Sequence, residues 1–184
     1  MSNITEKAAL LVMDVQPGII DRISNKDEYL SKITLAIDAA HKYNLLVIFV
    51  VVGFRSGFPE ISSRNKSFSA IRDSLSTHFI NPKPVLNLKE NDIIVTKRRI
   101  SAFSGSDLEV VLRGNNISHL VLTGISTSGV VLSTVREAAD KDYRLTVLSD
   151  LCADVDSEVH NVLTEKVFPR QATVTDSNCW INSL

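Results

Sequence analysis

Cysteine is scarce in this 184-residue chain: Cys152 and Cys179 are the only two, and they make no disulfide framework. A reducing, cytoplasmic setting is therefore expected. The four histidines, His41, His78, His119 and His160, are scattered, and neither cysteine stands at metal-ligand spacing from one of them. No metal and no cofactor is expected. An excess of one charge is also lacking. The formal net charge of −1 argues against nucleic acid or an anionic membrane surface as the main partner. No apolar run approaches the roughly 18 residues of a membrane span. The opening Met1-Ser2-Asn3-Ile4-Thr5-Glu6-Lys7 is polar and the next apolar run is broken by Asp14, so no signal peptide is expected either. Internal repeats, low-complexity tracts and linkers are absent, which predicts one domain over residues 1–184. What remains is an ordinary globular composition, 44% hydrophobic and 22% charged, in a chain long enough to bury a core.

Short β-branched apolar runs alternate with stretches of helical period. The runs predict strands at 8–13, 45–52, 92–97, 118–123, 144–149 and, more weakly, 172–175. Residues 45–52 are apolar throughout, as in a central strand covered on both faces. Helices are predicted at 28–43, 66–76, 106–114, 129–142 and 156–167. In the fourth, Val130, Val131, Thr134, Val135, Ala138 and Ala139 share a face opposite Arg136, Glu137, Asp140 and Lys141. Ser106 or Asp107 can cap the third helix, and Asp156-Ser157-Glu158 places negative charge at the start of the last. The alternation implies an α/β fold: three layers, α/β/α, around a mainly parallel sheet of roughly six strands. Two long irregular stretches, 53–65 and 79–91, suit lids or subunit contacts. Their Phe54, Phe58, Ile61, Phe79, Ile80 and Val85 are more apolar than isolated loops usually are.

Ligands of open parallel sheets sit at the carboxyl ends of the strands. Asp14 ends the first strand and Lys97 the third, while the turn Gly124-Ile125-Ser126-Thr127-Ser128-Gly129-Val130-Val131 leads from the fourth strand into a helix. Each has two readings. Asp14 is either a turn cap or a carboxylate whose pKa is raised by apolar neighbours and which serves as acid or base. Lys97 is either a solvated strand end or the electrostatic partner of Asp14. The turn is either a plain strand-to-helix junction capped by Thr127 or Ser128, or a cradle of N–H groups for an oxyanion built by Ile125, Ser126, Ser128, Gly129 and Val130. Gln16, Phe54, Arg55, Phe58 and Phe103 are candidates for the wall of the pocket, with Arg55 reaching either a substrate carboxylate or Glu60. Ser126, Thr127 and Ser128 offer hydroxyls, but no histidine lies near them in sequence to activate one.

Three motifs carry a resemblance: Asp14-x-Gln16, then Lys97-x-Arg99-x-Ser101-Ala102-Phe103, then Thr123-Gly124-Ile125-Ser126-Thr127-Ser128-Gly129-Val130-Val131 followed by Thr134 and Ala138. In order and spacing they resemble the isochorismatase-like hydrolase superfamily over about residues 7–175. The resemblance implies a Rossmann-like sheet and a small-molecule hydrolase. Amidases of this family use an Asp, Lys and Cys triad; Asp14 and Lys97 match the first two positions, and Val130 fills the cysteine slot. Isochorismatase members also lack that cysteine and are thought to protonate a vinyl ether with the Asp before water attacks. The resemblance further implies a non-proline cis bond at Ile125–Ser126, an oligomer (dimer or tetramer), and no nicotinamidase-type metal site, since no histidine follows the second strand. Acid-assisted ether hydrolysis is therefore the leading expectation. A silent ligand-binding or scaffold protein is the alternative, and an amidase using a hydroxyl of 126–128 is third.

Overall fold

The computed structural model describes residues 6–74 and 77–184. Six parallel strands form one sheet: β1 (Lys7–Met13), β2 (Leu46–Val52), β3 (Ile93–Lys97), β4 (Ile117–Ile125), β5 (Arg144–Ala153) and β6 (Thr173–Thr175), in the order β3-β2-β1-β4-β5-β6. Side-chain alternation along each strand divides the core in two. Ala9, Leu11 and Met13 of β1 point to the face covered by helices α3 (Leu108–Gly114) and α4 (Leu132–Asp140). Leu10 and Val12 point to the other face, covered by α1 (Lys26–Lys42), where Ile33, Ala36, Ile37 and Ala40 form the buried stripe. The expected three-layer architecture is thus the one found. Because both faces are covered, β1 and β2 are apolar almost without interruption, as parallel strands in such a sheet must be.

The order of strands reverses direction between β1 and β4, so the crevice at their carboxyl ends is the place where a ligand fits an open α/β sheet. Gly124 lets the two ends meet. It pairs with Met13 at φ +149°, and a Cβ there would lie 2.5 Å from the Met13 carbonyl oxygen. After β4 comes a π-helical turn, Thr127–Val131, which runs directly into α4.

Several boundaries differ from expectation. Strand β5 continues to Ala153 rather than stopping at 149, because its pairing with β4 shifts register between Leu122 and Gly124. The last expected helix is α5 (Ser157–Val162), capped by Asp156 through the N–H groups of Glu158 and Val159, followed by a second π-helical turn, Leu163–Val167. A further helix, α6 (Ser177–Asn182), has no counterpart among the expected elements; Asp176 caps it and Trp180 is buried beside α1. Helix α2 (Lys66–Asp73) falls within the expected 66–76, of which positions 75 and 76 lie outside the described residues.

The apolar residues of the two irregular stretches are also placed differently from a subunit contact. Phe54, Phe58, Ile61 and Phe79 are buried in this chain's own core, Ile80 packs against it, and Val85 alone of the six is exposed. Among the described residues, no helix is long and apolar enough to cross a membrane.

Candidate active site

Asp14 takes up a left-handed backbone, φ 60°, at the end of β1, and its N–H donates to the Val50 carbonyl at 2.8 Å. This bend turns the carboxylate back over the sheet edge. Lys97 comes from β3, two strands away, and only a long side chain spans that separation. Its Nζ lies 2.9 Å from Asp14 Oδ2 and donates to the carbonyls of Arg99 (3.1 Å) and Ile100 (2.9 Å). Three acceptors for three ammonium hydrogens satisfy the buried cation fully. Both side chains are nearly inaccessible, with Lys97 at 2% and Asp14 at 7% exposure.

Asp14 is less well provided for. Its Oδ1 is buried and has no hydrogen-bond partner among the described residues. Burial pushes the Asp14 carboxyl up, the nearby Lys97 pulls it back in part, and it settles at about 6. A group so poised can exchange a proton near neutrality.

A cavity of about 700 Å³ opens above this pair. Asp14, Lys97, Ile125, Ser126, Ser128, Gly129 and Val130 all line it, so the three separate motifs do converge. The Ile125–Ser126 peptide bond is cis. Within the turn, the N–H groups of Gly129 and Val131 both donate to the Ser126 carbonyl at 3.2 Å, and that of Ser128 donates to Asp154 Oδ2 at 2.7 Å. These three donors are therefore engaged by the protein itself. Thr127 Oγ1 lies 2.9 Å from His160 Nδ1, a histidine partner that sequence distance concealed, but Thr127 is buried and does not line the cavity.

The expected wall residues lie elsewhere. Gln16 is fully buried with both ends of its amide tied to Val52, donating to its carbonyl at 3.0 Å and accepting from its N–H at 2.8 Å. It fastens the end of β2. Phe54 and Phe58 pack on each other, with Phe54 edge-on to Phe68. Arg55 pairs with Glu60 in an exposed position, the second of the two partners open to it. Phe103 belongs to the opposite layer, stacked with Tyr143. The wall is built instead from Phe68 and Ile71 of α2, with Ile19, Phe79 and Val155, while Arg22, His78 and Asp154 supply charge and polarity. Asn65 caps α2 by accepting from the Phe68 N–H at 3.1 Å, which fixes the side of the helix turned to the cavity. Asp154 follows β5 directly and obeys the same strand-end rule as Asp14 and Lys97; a strand ended at 149 hides it. Among the described residues, no three His, Cys, Asp or Glu side chains gather as a metal site would need.

Cys152 lies on β5 opposite Gly124, in an adjoining cavity of about 410 Å³, and burial pushes its thiol well up. A thiol held protonated is a poor nucleophile. Iodoacetamide at pH 8 is accordingly expected to label the exposed Cys179 and to leave Cys152 unmodified, with activity unchanged. Peptide mass spectrometry of the labelled, folded protein checks this, and inactivation in step with labelling of Cys152 would make that thiol the nucleophile in place of the one the family's amidases carry in the turn.

Comparison with known proteins identifies the family. A family model described as the isochorismatase domain matches residues 8–179. The isochorismatase-family protein YwoC of Bacillus subtilis is 30% identical over 169 residues, covering 90% of this chain and 87% of that protein. A ureidoacrylate amidohydrolase, RutB of Variovorax paradoxus, is 28% identical over 201 residues, covering 92% and 79%. The structure of an isochorismatase-family protein from Burkholderia thailandensis superposes with a TM-score of 0.84 at 27% identity, covering 94% of this chain and 92% of that one.

Proposed function

The chain belongs to the isochorismatase family and is a small-molecule hydrolase, and from that premise we propose that it cleaves an enol-ether C–O bond by proton donation from Asp14. The observation that carries this is the Asp14 carboxyl itself: buried at the cavity floor, one oxygen held by Lys97, the other without a partner, and its proton retained up to about pH 6. Lys97 is its electrostatic partner, keeping the residual carboxylate tolerable after the proton has left. By the motif resemblance Val130 fills the slot where the family's amidases carry their thiol, and a valine offers nothing that attacks a carbonyl. Within the expected oxyanion cradle, the N–H groups of Ser128 and Gly129 are already spent on Asp154 and the Ser126 carbonyl, which leaves fewer donors for an amide mechanism. The whole described chain serves as one catalytic domain. A cytoplasmic location follows from its two unpaired thiols, and a homo-oligomer from the family resemblance.

The experiment is a comparison of two substrates. Isochorismate, the enol ether that gives the family its name, is expected to be hydrolysed, and ureidoacrylate, the amide acted on by the RutB relatives, is not. With Asp14 as the acid, kcat/KM for isochorismate falls as pH rises through about 6, because the free enzyme loses the proton it must donate. Faster turnover of ureidoacrylate, or a rate indifferent to pH between 5 and 8, overturns the assignment.

A further inference from the structure

Protonating the substrate is half of a hydrolysis; the attacking water must also lose a proton, and Lys97, with its three hydrogens committed, cannot receive it. The same cavity contains a second carboxylate. Asp154 is the first residue after β5, and the pairing of Ala153 with Ile125 sets it beside the turn that follows β4. Its Oδ2 is anchored by the Ser128 N–H at 2.7 Å, whereas Oδ1 accepts a long 3.4 Å bond from the Asp156 N–H, with the Val155 N–H also acting on the carboxylate. One oxygen thus fixes the carboxylate and the other is left to bind a water.

We propose that Asp154 is the general base of this site, taking a proton from the water that attacks after Asp14 has protonated the substrate. This rests on the assignment of Asp14 as the acid. The two carboxyls are driven apart in the sense that such a division of labour needs. Asp14 is raised to about 6 by burial. Burial also pushes Asp154 up, but hydrogen bonds from Ser128 and from the Asp156 and Val155 N–H groups outweigh it and hold the group below its usual value. The other ionisable groups around this cavity are Arg22, His78 and Lys97, and the adjoining cavity, which Asp154 also lines, adds Glu28, Tyr29, Lys32, Asp150, Cys152 and His160.

The steps balance. Asp14 gives its proton to the terminal carbon of the enol ether, leaving an oxocarbenium ion and an Asp14 carboxylate. Water attacks the ether carbon through its oxygen and passes one proton to Asp154, forming a hemiketal. The C–O bond to the leaving alcohol then breaks; its oxygen takes the proton from Asp154, and the hemiketal hydroxyl returns its proton to Asp14. A ketone and an alcohol are released, one water is consumed, and both carboxyls are restored.

The test uses the whole protein with isochorismate. Asp154→Asn keeps an oxygen that accepts from Ser128 but takes up no proton; kcat is expected to fall about 100-fold or more while KM and the descending limb near pH 6 stay in place. Asp154→Ala is expected to be similarly slow and to recover rate, saturably, when formate is added as an external base. Formate rescue is the decisive readout, because a residue that merely braces the turn gives no such recovery. An Asp154→Asn variant with the wild-type kcat, or an Asp154→Ala variant that formate leaves unchanged, overturns the assignment. Failure of the wild type itself on enol ethers brings down the Asp14 assignment and this one with it; a dead Asp14→Asn beside a fully active Asp154→Asn removes only Asp154.

Discussion

Replacing Asp14 by Asn is expected to lower kcat/KM for the enol ether about 100- to 10,000-fold, the usual worth of a positioned general acid. The amide is nearly isosteric, and its oxygen can still accept from the Lys97 ammonium, which also keeps the carbonyls of Arg99 and Ile100. The fold therefore has every reason to persist. Stability gives an independent readout with a defined sign. In the unfolded chain Asp14 titrates near 3.8, in the folded chain at about 6, so the folded state holds the extra proton between these values. Wild-type stability consequently declines as pH rises from about 4 to 6, by about 3 kcal/mol from this group alone, and the decline is missing in Asp14→Asn. Urea denaturation at pH 4.5 and 7 captures about 2 kcal/mol of it. A silent ligand-binding protein with the same fold would show the stability change without any activity to lose, so the two measurements together separate a catalyst from a binder. Full turnover by Asp14→Asn would end the case for acid catalysis.

Asp14 and Lys97 were legible in the sequence because the rule that reveals them is topological: alternating strands and helices make a parallel sheet, and its carboxyl edge collects the ligand. The same rule extended to 153 would have found Asp154, but the register shift in β5 inserts residues that interrupt the apolar run, so periodicity ends that strand early. The pocket wall was much less legible. Whether an aromatic faces the cavity or the core depends on which layer it enters, and Phe54, Phe58 and Phe103 carry no local mark of that choice. Gln16 is a subtler case. Its two bonds to Val52 complete a strand end whose unmet backbone groups no reading of residues 14–18 can reveal. Helix α6 was hidden by its length, although Asp176, accepting from the Cys179 N–H at 2.8 Å, is the kind of cap that marks a helix start.

Lys97→Met is expected to produce the largest loss of stability of any substitution at the site. The variant keeps the length of the side chain but strands the Asp14 carboxylate and two buried carbonyls, and breaking a buried pair by removing one partner costs about 3–5 kcal/mol. The loss depends on pH in a direction that identifies its origin. Without the cation that pulls it down, the Asp14 carboxyl rises above about 6 and holds its proton further into the alkaline range. Below pH 6 both proteins fold with Asp14 mostly protonated, and the deficit reflects the abandoned carbonyls. Above it the wild type folds with a paired carboxylate, whereas the variant must retain a proton that its unfolded chain has released. The deficit therefore widens with rising pH, by up to about 1.4 kcal/mol per unit, until the variant's own carboxyl ionises. Urea midpoints at pH 5, 6, 7 and 8 resolve this slope. Activity should shift in parallel: whatever rate the variant retains, its descending limb moves to higher pH, since the acid stays loaded longer. A deficit that is constant from pH 5 to 8, together with an unmoved limb, would mean that Lys97 braces the strand end and does not govern the proton on Asp14.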